Sequence, residues 1–265
     1  MPNPKKTTQI EYYVYEDAAA FARHAAQYFA DQIREAVAAR GVAKIAISGG
    51  NTPKPVFALL AGEEYLDSVP WEKVLLFWVD ERSVPPTDKD SNYGMTKTAL
   101  LEKVPILSAN VFRMEGELEP EEAAARYESA IRNTMRLEGA ELPTFDLIAL
   151  GMGDDGHTAS LFPHTQGLYE LGRIVIANHV PQKDTWRITL TSPVINQARN
   201  VIFMIQGADK ATVLKRVLLG AYDPDTLPSQ LIKPVSGKLT ILLDKAAAAE
   251  LPPTVESGGT LEVSR

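Results

Sequence analysis

Short apolar runs recur along this chain, each ended by a polar or glycine turn, with helical stretches between them. That alternation restricts the fold more than any other feature. It is the pattern of an α/β protein with a mostly parallel sheet covered by helices on both faces. Strands are expected at Ile10–Tyr15, Val42–Ile47, Lys73–Val79, Phe145–Leu150, Arg173–Ala177, Arg187–Thr191, Val201–Gln206 and Leu239–Leu243. Asp17 is placed to cap a helix whose apolar positions Phe21, Ala25, Phe29, Ile33 and Val37 share one face, and Gly41 stops it. A second amphipathic helix is expected over Glu121–Leu137, with Ala124, Tyr127, Ile131 and Met135 in one stripe. Lys210–Leu219 and Lys245–Leu251 complete the helical set. No repeat, heptad run or low-complexity block divides the chain, so residues 1–265 read as one domain. Pro252–Arg265, which includes Ser-Gly-Gly-Thr, is expected to be a mobile tail.

The 265 residues are 45% apolar and 23% charged, a globular composition. A net charge of −7 argues against nucleic acid or an anionic membrane as partner, but a small anion can still be held by local cations. Zero cysteines exclude disulfides, a thiol nucleophile and cysteine-ligated metal. Met1–Thr8 has no apolar core of signal-peptide length, and no later run approaches ~18 apolar residues. A cytoplasmic protein without a membrane segment is expected.

Four polar clusters begin where predicted strands end. A parallel sheet brings such loops to one edge, which is where α/β proteins bind ligands. The densest cluster is Gly151–Pro163, in which three glycines within six residues allow a sharp turn and close approach to a ligand. Asp154, Asp155 and His157 sit inside that turn. A histidine held by a neighbouring carboxylate can carry a proton near neutral pH, as a hydrolytic base must. A metal is not expected, because only His164, beyond Pro163, offers a second nearby imidazole.

Ser48-Gly-Gly-Asn-Thr-Pro53 follows the Val42–Ile47 run. Thr52 is a good N-cap and Pro53 a good first helical residue, so Gly49 and Gly50 lead into a helix N-terminus that favours an anion such as phosphate. The spacing matches neither a Walker loop nor a dinucleotide fingerprint. Asp80-Glu-Arg82 opens a long polar loop to Tyr93, in which Arg82 can grip phosphate or carboxylate bidentately. Taken alone, that stretch reads as a solvated loop. The fourth cluster joins Arg187, beside Ile188–Thr191, to Gly207-Ala-Asp-Lys210. Lys210 is expected in the first turn of a helix, where a cation is unfavourable unless an anion lies between.

In order and with matching spacing, Ser48–Pro53, Asp80–Arg82 with Ser91–Tyr93, Gly151–Pro163, Arg187–Thr191 and Gly207–Lys210 resemble the 6-phosphogluconolactonases, over about Val42 to Leu251. The wider superfamily includes glucosamine-6-phosphate deaminases and isomerases with a similar glycine turn. Those carry glutamate where Phe162 stands here and tyrosine where Arg82 stands. The resemblance implies a modified Rossmann-like three-layer α/β/α sandwich without nucleotide or other cofactor. It also implies hydrolysis of 6-phospho-D-glucono-1,5-lactone in the oxidative pentose phosphate pathway, with that sugar phosphate lactone as small-molecule partner. A monomer is expected.

On that resemblance His157 is the base and Asp155 orients it. Ser48, Gly49, Gly50, Thr52, Asp80, Arg82, Gly153, Arg187 and Lys210 would bind substrate. How Arg82, Arg187 and Lys210 divide between phosphate and developing oxyanion stays open. Asp80 is left between contacting sugar hydroxyls and anchoring Arg82. Ser160 is a rival nucleophile, expected on a helix after the turn with no separate base. The competing functions are a sugar-phosphate isomerase or deaminase on the same scaffold and a non-catalytic sugar-phosphate sensor.

Overall fold

The computed structural model describes residues 7–252 and 259–264. Strand β1 (Thr7–Tyr15), helix α1 (Ala18–Arg40) and strand β2 (Ala43–Ile47) open the chain. Helices α2 (Pro53–Leu60) and α3 (Glu63–Leu66) lead to β3 (Val74–Trp78), which is followed at once by β4 (Asp80–Arg82). Next come α4 (Asn92–Thr96), β5 (Val111–Phe112), α5 (Pro120–Met135) and β6 (Leu147–Leu150). The second half holds β7 (Val175–Val180), β8 (Thr185–Leu190), α6 (Ser192–Asn196) and β9 (Asn200–Ile205). Helix α7 (Ala211–Leu219), β10 (Lys238–Asp244) and β11 (Gly259–Ser264) follow. Helix α1 starts as its cap predicts, with the Asp17 carboxylate accepting the Ala20 amide at 2.7 Å, and it stops at Gly41 with φ 79°.

Eight strands form the main sheet in the order β11-β1-β10-β9-β6-β2-β3-β5, and every pairing in it is parallel except β11 with β1. The strands read as continuous apolar runs because both faces are buried. Ile45, Ile47, Leu147, Ala149, Ile202 and Met204 point into one core with α1 and α2. Ala46, Ile148, Leu150, Val201 and Phe203 point into the other with α5 and α7. The Tyr127 hydroxyl on α5 donates to the Trp78 carbonyl at 2.9 Å and accepts the Trp78 amide at 2.8 Å, fastening that helix to the end of β3.

Four details differ from expectation. Strands β7 and β8 do not enter the main sheet; with β4 they form a separate antiparallel sheet, β4-β8-β7. The polar stretch from Asp80 therefore begins as a strand, because Glu81 is buried and its carboxylate accepts four donors. These are the amides of Arg82, Asn92 and Tyr93 at 2.8, 2.7 and 2.8 Å and the Ser91 hydroxyl at 3.1 Å. Burial pushes the Glu81 carboxyl up from the usual range, opposed by those amides. Lys245–Leu251 is a series of turns rather than a helix, with the Asp244 carboxylate accepting only the Ala247 amide of that stretch at 2.7 Å. Thr158–Leu161 is a tight turn closed by a bridge between its ends, so Ser160 is not helical. Finally, Gly259–Ser264, expected within a tail, forms a strand that pairs with β1 and buries Val263; 253–258 and 265 lie outside the described residues.

Strands β2 and β6 are neighbours, yet the chain leaves β2 toward β3 on one side and reaches β9 on the other side after β6. Their following loops diverge and open a crevice at the carboxyl ends of the strands. Among the described residues no helix is long and apolar enough to cross a membrane.

Candidate active site

The loop after β2 and the glycine turn after β6 form the two sides of this crevice. A cavity of ≈ 400 Å³ lies there, lined among others by Ser48, Gly49, Gly50, Thr52, Asp80, Arg82, Gly153, His157 and Lys210. Of the residues expected in the site, only Asp155 and Arg187 fall outside that lining, and each contacts or neighbours a member of it. A groove of ≈ 690 Å³ shares Gly50, Asn51, Arg82 and Asn92 with the cavity.

His157 is half-buried, and its Nδ1 lies 2.5 Å from Asp155 Oδ1, which also accepts the His157 amide at 3.0 Å. A carboxylate on Nδ1 holds the proton there and leaves Nε2 as the basic atom. Burial raises the Asp155 carboxyl, but the hydrogen bond and charge of His157, with the backbone amide, outweigh it and hold the group below the usual range. Gly153 makes this geometry possible: a Cβ there would sit 2.1 Å from His157 Nδ1.

The Ser48 amide and hydroxyl both donate to the Ala149 carbonyl, at 3.1 and 2.9 Å, so the hydroxyl proton ties the loop to β6. Gly49 is approached so closely by Asn92 that a Cβ would lie 1.9 Å from its Oδ1. Thr52 occupies the expected cap position, but its backbone is already helical (φ −65°, ψ −47°) and its side chain caps nothing. Pro53 and Pro55 carry no N–H, so the donors offered to an anion at the start of α2 are the Lys54 amide and those of the loop before it.

Asp80 lines the cavity and is held by partners the sequence did not point to. Its Oδ2 accepts the Ser160 hydroxyl at 2.6 Å, while Asn92 Nδ2 donates to its Oδ1 at 3.4 Å and its carbonyl at 2.8 Å. It joins β4, α4 and the turn after His157. Ser160, the rival nucleophile, is buried, donates its hydroxyl to Asp80 and is not among the residues lining the cavity. Asn92 lies in the Ser91–Tyr93 segment that belongs to the family resemblance, though no separate role was expected of it. Its signal was the Ser91-Asn pair, since Ser91 caps α4 by accepting the Gly94 amide at 3.0 Å.

Arg82 and Arg187 stand opposite each other across β4 and β8. The Arg82 guanidinium donates to the Asp90 carbonyl, and Arg187 donates to Thr185 Oγ1 and the Trp186 carbonyl at 3.2 and 3.3 Å. Among the described residues neither forms an ion pair within 4.0 Å of a carboxylate. Burial first, then the charge of Arg82, pushes the Arg187 pKa down. Two adjacent guanidiniums repel until an anion joins them. Lys210 lies immediately before α7 rather than in its first turn, with Nζ 2.9 Å from exposed Asp209.

The profile of glucosamine-6-phosphate isomerases/6-phosphogluconolactonase matches residues 16–241. The chain belongs to this family. It is 42% identical over 223 residues to the 6-phosphogluconolactonase of Synechocystis sp., covering 84% of this chain and 90% of that one. To the 6-phosphogluconolactonase of Nostoc sp. it is 39% identical over 249 residues, 93% and 99% of the two chains. A solved 6-phosphogluconolactonase from Trypanosoma cruzi shares the fold at a TM-score of 0.80 and 30% identity, over 94% of this chain and 98% of that one.

Proposed function

We propose that this protein hydrolyses 6-phospho-D-glucono-1,5-lactone to 6-phospho-D-gluconate, an activity of the oxidative pentose phosphate pathway. The observation that carries the reading is the His157–Asp155 pair opening into a cavity shared with the Ser48–Thr52 loop, Arg82 and Lys210. An ester with a dianionic phosphate at its far end needs both ends of that arrangement.

His157 Nε2 takes a proton from water as the water oxygen attacks the lactone carbonyl. The tetrahedral oxyanion then collapses, the bond from the carbonyl carbon to the ring oxygen breaks, and the imidazolium returns its proton to the departing oxygen. Asp155 keeps the imidazole oriented and stabilises its charged form. The phosphate lies against the amides of the Ser48–Thr52 loop, with Arg82, Arg187 and Lys210 balancing charge on phosphate and oxyanion. Side chains alone carry the steps, and no covalent intermediate is formed. The deaminase reading is disfavoured by Phe162, whose hydrocarbon ring cannot move the second proton that an isomerisation requires.

The test is proton release from freshly made lactone above its spontaneous hydrolysis, with phosphorylated and unphosphorylated gluconolactone side by side. The phosphorylated substrate should be strongly preferred. No acceleration by the wild-type protein, or ammonia release from glucosamine 6-phosphate, would overturn the assignment.

A further inference from the structure

A single hydrogen bond at Nδ1 does not fix an imidazole, because the ring can still swing about that contact. The second restraint on His157 is Phe162. The two rings are stacked with centroids 4.0 Å apart and planes 20° from parallel. Phe162 is itself 3% exposed and follows the bridged Thr158–Leu161 turn, so its ring is held rather than adaptable. From the β7–β8 connection, Lys183 Nζ lies 5.8 Å from the Phe162 ring centroid, within cation–π range. Yet Phe162 does not line the cavity, whereas His157 does.

We propose that Phe162 is a positioning residue: its ring sets the plane of the His157 imidazole and so keeps Nε2 aimed into the cavity. This rests on His157 acting as the base. The physical argument is that stacked rings have a defined separation and tilt, which an aliphatic side chain of similar size cannot impose. A base displaced by ~1 Å loses up to about a hundredfold in rate while the substrate binds as before.

The test compares Phe162→Leu, Phe162→Met and Phe162→Tyr with wild type, each checked for folding by its thermal midpoint. Steady-state kinetics are read beside the proton resonances of the His157 ring, assigned with His157→Gln. Phe162→Leu should lower kcat roughly ten- to a hundredfold with KM nearly unchanged, and the upfield ring-current displacement of the His157 protons should vanish. Phe162→Tyr keeps the ring and should recover both kcat and the displacement. Phe162→Met refills the volume without a π face and should behave like Phe162→Leu, which also serves should the Leu variant fail to fold. A variant that loses the ring-current displacement yet keeps wild-type kcat overturns the proposal, as does a rise in KM alone. Full activity in His157→Ala would instead sink the base assignment, while the displacement of the His157 ring protons in the wild-type protein would still report the stack.

Discussion

The two rims of the main sheet handle charge in opposite ways. At the amino ends of the strands, buried Asp146 accepts the Lys44 amide at 2.8 Å and pairs with Arg40 and Arg199 at 2.7 and 3.5 Å. Asp146 answers both arginines, and the cluster clips the end of α1 to β2, β6 and β9. At the carboxyl ends Arg82 and Arg187 face each other with carbonyl and hydroxyl partners only. The same residue types serve as a clasp on one rim and a ligand cradle on the other. What separates them is whether the fold itself completes the electrostatic pairing.

That contrast can be broken most severely at the imidazole. His157→Ala should lose about 10²–10⁴-fold in kcat, measured by proton release, with the thermal midpoint nearly unmoved. Next in size, Arg187→Ala should raise KM for the phosphorylated lactone roughly ten- to a hundredfold, the worth of one charge-assisted contact. Its stability should stay level or rise, because repulsion from Arg82 is relieved. On the other rim the effect should reverse: Asp146→Ala should cost about 1–3 kcal/mol in urea denaturation by stranding the Lys44 amide, with kcat and KM held. Equal stability losses at Arg187 and Asp146 would erase the distinction between the rims.

The smallest effect is on pH. The folded Asp155 carboxyl is depressed, so its contribution to stability is complete above the ordinary carboxylate value of about 3.9 and lost as pH falls through the folded value. The stability gap between wild type and Asp155→Asn should therefore be widest near neutrality and close as the solution is acidified below about pH 4. A gap that widens in acid would reverse the assigned sign.

Much of this was legible because buried parallel strands announce themselves. Phe145–Leu150 and Val42–Ile47 are apolar apart from Asp146 and Lys44, and each runs into a glycine-containing turn that marks a ligand-binding edge. The small antiparallel sheet was not legible, since Asp80-Glu-Arg82 is wholly charged and its pairing depends on Glu81 finding three of its four donors ten to twelve positions away. Asp80 lines the cavity, but its partners Ser160 and Asn92 come from distant segments that no local pattern connects. The turns at Lys245–Leu251 mimic a helix in composition, but Asp244 starts only one turn and Pro252 follows. Strand β11 was hidden by its polar sequence, because among its described residues only Val263 is buried.

The contact between Gly49 and Asn92 carries an evolutionary consequence. A side chain at position 49 would collide with Oδ1, Cγ and even Cβ of Asn92, at 1.9, 2.3 and 2.7 Å, so rotating the amide away gives no relief. Shrinking Asn92 first would release Asp80 and its grip on Ser160. Neither position can drift ahead of the other, and descendants of this chain inherit the two residues as a single unit.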